Sequence, residues 1–165
     1  MNDKALDEVK EVDEYSWKWQ GRQKLDFGGK TWDVDLLVQG NRQKEITERQ
    51  KEAFRRFAEK WPELQELLID ALIQYYNEEE RFSYGPEEEE EAAEWWPEIE
   101  TKEALLDAVT PESVVVADDF MMEDGRQIYL LFSRAWGGED LDDNGIGVSL
   151  INETVDEIAY KDIAF

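Results

Sequence analysis

Hydrophobic positions near the two ends of the chain alternate with polar ones. Residues 17–38 follow a period of two, which Gly28-Gly29 interrupts. This region therefore predicts two or three antiparallel strands with a hairpin turn at the glycines. Toward the other end, short β-branched and aromatic runs are separated by turn-forming residues. They predict four more strands, at 114–117, 128–132, 146–151 and 155–160.

Between these regions the apolar positions recur at helical spacing. Thr47 and Gln50 form a capping-box signature, which predicts a helix from Thr47 to about Trp61. Pro62 suits the first turn of a helix, so a second helix is predicted from Pro62 to about Tyr75. The two helices are expected to form a hairpin or one kinked rod.

The complete pattern predicts an α+β fold. Its antiparallel sheet is built from N-terminal and C-terminal strands and packs on the central helical hairpin and on a short third helix after Thr101. Residues 1–14 are acidic and poor in apolar side chains, so we expect a flexible arm there. One domain follows over 15–165, with an acidic loop at 77–100.

Charge is the most unusual property of the composition. Forty-two acidic and 18 basic side chains give a net charge of −24, which disfavours nucleic acids and anionic membranes as partners and favours a basic protein. The alternative is that the charge only keeps the protein soluble or adapts it to high salt. The charge is also uneven: it is −10 over 77–100, −10 over 112–165 and +3 over 40–62.

Two residue types that carry much enzyme chemistry are missing. The chain has no cysteine and no histidine, which removes thiol nucleophiles, thiolate metal sites, disulfides and the usual general base near neutral pH. We expect no enzymatic activity and no cofactor. The lack of cysteine and of any long apolar segment predicts a cytoplasmic protein.

The candidate partner-binding residues lie in two acidic segments. Trp95 and Trp96 are unusual in a charged loop, and tryptophan is common at binding hot spots. The alternative is that at least one of these rings packs on the core. The complete set of candidates is Glu87, Glu88, Glu89, Glu90, Glu91, Trp95, Trp96, Glu139, Asp140, Asp142 and Asp143.

A cation site is a weaker hypothesis. Asp140-Leu-Asp142-Asp-Asn144-Gly145 matches the first six positions of an EF-hand loop. The twelfth position, where a bidentate glutamate is needed, is Ile151. Asp140, Asp142 and Asn144 are therefore candidate calcium ligands, whereas an acidic turn explains the same residues without a metal.

Basic side chains concentrate at the start of the first predicted helix. Glu48 and Lys51, and Glu52 with Arg55 and Arg56, have the spacing of helical ion pairs. This stretch therefore predicts a mixed, solvated helix face in preference to a phosphate-binding site.

The C-terminal region resembles an uncharacterised bacterial domain family. The resemblance rests on Phe132-Ser-Arg-Ala-Trp136, on Gly145-Ile-Gly-Val148 and on the segment 155–163, and it extends over about 17–165. Family members typically carry a Trp-Asp-x-Glu-His-Gly turn, whereas this chain has a longer turn without histidine between Trp136 and Gly145. Some relatives resemble proteins encoded beside polymorphic toxins, which implies an immunity role.

Charge, size and resemblance together lead to one functional hypothesis. We expect a non-enzymatic inhibitor, an immunity protein that neutralises a basic toxin domain such as a nuclease. One alternative is an acidic nucleic-acid mimic that acts on a host DNA-binding protein. Another is a calcium-binding module that uses the turn at 139–145.

Overall fold

The computed structural model describes residues 4–14, 16–40, 43–81, 96–136 and 145–165. In these ranges seven strands form one sheet, and every strand lies beside its neighbour in sequence. All pairs are antiparallel except β3 and β4. The strands are β1 (Lys10–Glu11), β2 (Trp19–Phe27), β3 (Lys30–Val38), β4 (Val109–Val116), β5 (Gln127–Arg134), β6 (Ile146–Ile151) and β7 (Thr154–Tyr160).

The turn between β2 and β3 confirms the predicted hairpin. Phe27 pairs with Lys30, so only Gly28 and Gly29 connect the strands. Their φ angles of 64° and 81° belong to the left-handed region, which glycine enters without a steric penalty. The local sequence therefore sets the register of this hairpin.

One long helix replaces the predicted helical hairpin. Helix α1 (Glu48–Tyr75) starts at the Thr47 capping box and continues through Pro62. A proline inside a helix costs about 3 kcal/mol. Burial of a large apolar side chain contributes about 1.5–3 kcal/mol, and the buried stripe stays in phase across the proline. Its members are Ala53, Phe54, Phe57, Ala58, Trp61, Leu64, Leu68, Ile69 and Leu72.

Helix α1 is part of the connection that joins the two halves of the sheet. The chain leaves β3, passes through α1 and the short helix α2 (Lys102–Ala108), and returns in β4 parallel to β3. Thr101 caps α2 as predicted, since its hydroxyl accepts from the Ala104 amide. The α+β class is confirmed, although one strand pair is parallel. No helix in the described ranges is long and apolar enough to cross a bilayer.

The sheet is covered on both faces. Helix α1 covers one face, where Trp61 stacks on Phe27 and its indole donates to the Asp26 carbonyl at 2.6 Å. The second face carries Tyr129 and Gly147. A Cβ on Gly147 would lie 2.5 Å from Cγ2 of Ile163, so the turn Lys161–Ala164 lies directly on that strand.

The flexible arm predicted for 1–14 is wrong for the described residues 4–14. Ala5 and Leu6 are buried in the core, and β1 pairs with β2. Two apolar side chains were sufficient to attach a segment that is otherwise rich in charge. Similarly, the loop predicted at 77–100 begins as a π-helical turn, Tyr76–Glu80, that continues α1.

Candidate functional site

Most of the predicted binding residues lie outside the described ranges. These are Trp95, the glutamates at 87–91 and the acidic residues at 139–143, together with the candidate calcium ligand Asn144. Trp96 is described and is only 5% exposed, and its ring stacks on Tyr76 at a centroid distance of 6.5 Å. The packing alternative therefore applies to Trp96, and the exposed-anchor alternative does not.

The residues that flank the two acidic segments meet at one corner of the fold. Trp136, which precedes 137–144, lies 4.5 Å from the Tyr76 ring. Arg81, which precedes 82–95, donates from Nε to the Trp96 carbonyl at 3.0 Å. The Tyr76 hydroxyl donates to the Pro97 carbonyl at 2.5 Å, and burial raises the pKa of Tyr76 to about 12. Arg81, Trp96 and Trp136, which border the two acidic segments, therefore lie close to Tyr76 at the end of α1.

A buried ion pair attaches this corner to the sheet. Glu80, in the π-helical turn, pairs with Arg134 at the end of β5, and both side chains are fully buried. The Arg134 guanidinium also lies 5.2 Å from the centre of the Tyr160 ring. Sequence reasoning missed this pair because Glu80 stands among other glutamates. The available signal was Arg134 itself, a cation that ends an apolar strand and needs a buried acid.

A groove runs between the end of α1 and strand β7. It consists of two adjoining cavities of about 340 and 390 Å³ that share Tyr75, Glu78, Glu79 and Ile158. Asp156 and Glu157 line its other wall, and no lysine or arginine belongs to either lining. This surface is the β7 groove, and none of its residues belongs to the predicted site.

The four exposed acids of the β7 groove form no ion pair with any described residue. Glu78 accepts from the Gln74 amide at 3.0 Å, and Asp156 accepts from the Ser149 hydroxyl at 3.3 Å. These neutral donors leave the negative charge in place. Burial raises the pKa of Tyr129, which lies on the second face, and the carboxylates of Asp156 and Glu157 raise it further. The negative field of these two acids therefore reaches the second face.

Strand β7 is also an edge of the sheet. Among the described strands it is the last in the order, and its one partner there is β6. Asp156 and Glu157 are exposed on it. An edge strand presents backbone donors and acceptors that can pair with another extended chain. The β7 groove therefore combines a free strand edge with unneutralised acids.

The outer face of α1 shows the opposite arrangement. The predicted pairs of Glu48 with Lys51 and of Glu52 with Arg55 and Arg56 are confirmed, at 3.3, 2.5 and 2.8 Å. Hydrogen bonds from Arg55 and Arg56 lower the pKa of Glu52 to about 2. These acids are neutralised by their neighbours and leave no free charge for a partner.

A metal centre finds no support in the described ranges. These ranges contain no group of three or more acidic side chains arranged to hold a metal ion. The candidate calcium ligands Asp140, Asp142 and Asn144 lie outside them, so the calcium hypothesis stays a prediction.

Comparison with known proteins gives one match. A family model described as "domain of unknown function (DUF6985)" matches residues 8–165, nearly the whole chain. The match confirms the prediction of an uncharacterised domain family. No curated protein and no solved structure matches the chain.

Proposed function

We propose that this chain, which belongs to the DUF6985 family of domains of unknown function, is a non-enzymatic protein that binds a basic protein partner. The observation that carries the proposal is the β7 groove, where four exposed acids have no ion-pair partner among the described residues. The finer proposal is that of a cytoplasmic immunity protein whose partner is a basic toxin domain. A toxin gene directly beside this one in the genome would support that finer proposal, and its consistent absence would count against it.

The position of the acids favours binding over a role in helix stability. Glu78 and Glu79 lie in the π-helical turn that continues α1, and together with Asp156 and Glu157 they line the β7 groove. Like charges that line one groove repel each other and lower stability, whereas they strengthen the field that a cationic partner meets. An extended segment rich in lysine or arginine can pair with the free edge of β7 and place its charges beside these carboxylates.

The proposal is tested with an alternating lysine–valine octapeptide as the probe. A groove variant carries Glu78→Gln, Glu79→Gln, Asp156→Asn and Glu157→Gln. Its control carries Glu48→Gln, Glu59→Gln, Glu63→Gln and Glu66→Gln on the outer face of α1. Both variants change the net charge by the same amount, so any difference between them reports the location of the charge.

We expect the groove variant to bind the peptide about tenfold more weakly at low salt, because four exposed charge contacts are lost. The control variant is expected to lose much less affinity. Titration calorimetry at low and high salt measures both. Equal weakening in the two variants would mean that the peptide responds only to net charge, and the proposal would then be wrong.

A further inference from the structure

The exposed apolar side chains of the described ranges are not scattered. The large ones are Leu67, Phe120, Met121 and Phe165, with exposed fractions of 63, 73, 49 and 53%. Leu67 lies alone on α1, whereas the other three line one cavity of about 330 Å³. Tyr129 from the second face also lines it. This surface is the Phe120 groove.

Contacts hold the two segments that carry the exposed side chains. Arg49 donates to Asp119 at 2.9 Å and to the Met122 carbonyl at 2.5 Å, on either side of Phe120 and Met121. The Phe165 ring lies 5.8 Å from the Trp17 ring. A segment whose backbone is already fixed loses less conformational entropy when a partner covers it. The groove therefore suits an apolar group.

Gln39 joins the two walls of the Phe120 groove. Its side-chain amide donates to the Ala164 carbonyl at 2.5 Å, and its oxygen accepts from the Asp118 amide at 3.3 Å. The turn that carries Phe165 is thus connected to the turn that carries Phe120. Both walls belong to one rigid surface.

The charge around the Phe120 groove indicates which kind of partner fits it. Among the described residues the lining includes Asp118 and contains no lysine or arginine, and the carboxylates of Asp156 and Glu157 act on the Tyr129 phenol at its floor. A second copy of the chain would bring two molecules of charge −24 together, which electrostatic repulsion opposes. A partner with an apolar side chain between cationic residues fits both the apolar lining of the groove and the acids around it.

We infer that the Phe120 groove receives the apolar anchor of the same basic partner whose cationic segment lies along β7. The inference rests on the proposed function. Tyr129 connects the two surfaces: it lines the Phe120 groove and pairs with Ser149 on β6, whose hydroxyl donates to Asp156 of the β7 groove at 3.3 Å. The interface would then have an apolar centre and an acidic rim, which is the usual anatomy of a protein–protein contact.

Two peptides separate the anchor from the charge. The first has a central Trp-Leu pair between flanking lysines, and the second has Gly-Gly in place of Trp-Leu. They are titrated against the wild-type chain, the variant Phe120→Ser with Met121→Ser, and the control Leu67→Ser. All three substituted side chains are about half exposed or more, so the variants are expected to fold, and amide NMR spectra verify this.

We expect Phe120→Ser with Met121→Ser to weaken the Trp-Leu peptide about tenfold, as loss of a buried anchor does. The Gly-Gly peptide should be unaffected, and Leu67→Ser should change neither. Shifts of the Gln39 and Ala164 amides should accompany binding of the Trp-Leu peptide only.

Each failure has its own signature. Suppose that the Phe120 variant binds both peptides like the wild type, while the β7 groove variant binds neither. The inferred role of the Phe120 groove is then wrong, and the proposed function stands. If neither peptide binds the wild-type chain at millimolar concentration, both are wrong. If sedimentation shows a dimer that the Phe120 variant abolishes, the occupant is a second copy and the inference is overturned.

Discussion

Helix α1 and its π-helical continuation carry opposite net charge in the two halves on either side of Pro62. Residues 48–61 contain five basic and three acidic residues, whereas residues 63–81 contain six acidic residues and one basic residue. In the first half, Glu48, Glu52 and Glu59 all pair with lysine or arginine. In the second half, Glu63, Glu66 and Glu80 are also paired, whereas Glu78 and Glu79 pair with no described residue. Every glutamate of the first half is therefore neutralised by a neighbour, and the second half keeps two that are not.

This arrangement does not favour helix stability. Anions stabilise the N-terminal end of a helix, yet the first turn of α1 carries Arg49 and Lys51 beside Glu48. The buried stripe from Ala53 to Leu72 stabilises the helix instead. Helix stability therefore does not explain the unpaired charges of Glu78 and Glu79, which the proposed basic partner would neutralise.

The buried ion pair at the acidic end gives the largest expected effect. Arg134→Met leaves the Glu80 carboxylate buried without its cation, which should lower the free energy of unfolding by about 3–5 kcal/mol. Arg55→Met breaks an exposed pair in the other half and should cost far less. Urea denaturation at neutral pH measures both. The double variant Glu80→Leu with Arg134→Met should recover much of the loss, and comparable losses from Arg134→Met and Arg55→Met would contradict the comparison.

Neutralising the unpaired acids should have a smaller effect of the opposite sign. Glu78→Gln and Glu79→Gln reduce the repulsion among the four acids of the β7 groove, so together they should raise the free energy of unfolding at low salt. Glu52→Gln removes a paired acid and should lower it. Thermal unfolding at low and high ionic strength checks the signs. A loss of stability in both halves would show that the unpaired acids have stabilising partners.

The smallest effect concerns the pH dependence of stability. The folded-state pKa of Glu52 is lowered from 4.5 to about 2, so its contribution is present above pH 4.5 and is lost as the pH falls from 4.5 to 2. Arg55→Gln should raise the Glu52 pKa toward its ordinary value and flatten the stability profile in this window. NMR titration of the Glu52 carboxyl provides the measurement, and an unchanged pKa in the variant would rule out this cause.

Signals within a few residues of one another predicted much of the fold. The glycine pair at 28–29, the capping box at Thr47 and the N-cap at Thr101 each act through local backbone geometry, and all three are observed. Of the two alternatives at Pro62, the single rod is observed and the hairpin is wrong, because burial along a helix that the sheet covers outweighs the local penalty. The flexible arm was wrong for residues 4–14 because Ala5 and Leu6 are buried and β1 pairs with β2.

The candidate site was much less predictable. Composition indicated a basic partner, but the β7 groove combines helix residues 71–80 with strand residues 155–160, and no spacing in the sequence links them. The Phe120 groove likewise joins three separate turns. Acidic residues at 87–91 stood out as a run, whereas the acids of the β7 groove come from two elements that only the tertiary structure brings together.

The sequence by itself determined six of the seven described strands, the helix starts at Thr47 and Thr101, the tight glycine turn and the excess of negative charge. These features depend on neighbouring residues or on composition. Only the tertiary structure decided which acidic side chains have no ion-pair partner among the described residues. It placed β3 parallel to β4, buried Glu80 against Arg134, and used the capping glutamine Gln50 to donate to the Gln39 and Ala117 carbonyls at 2.7 and 2.8 Å. These contacts join residues far apart in the chain, and their energies depend on burial that only the folded sheet provides.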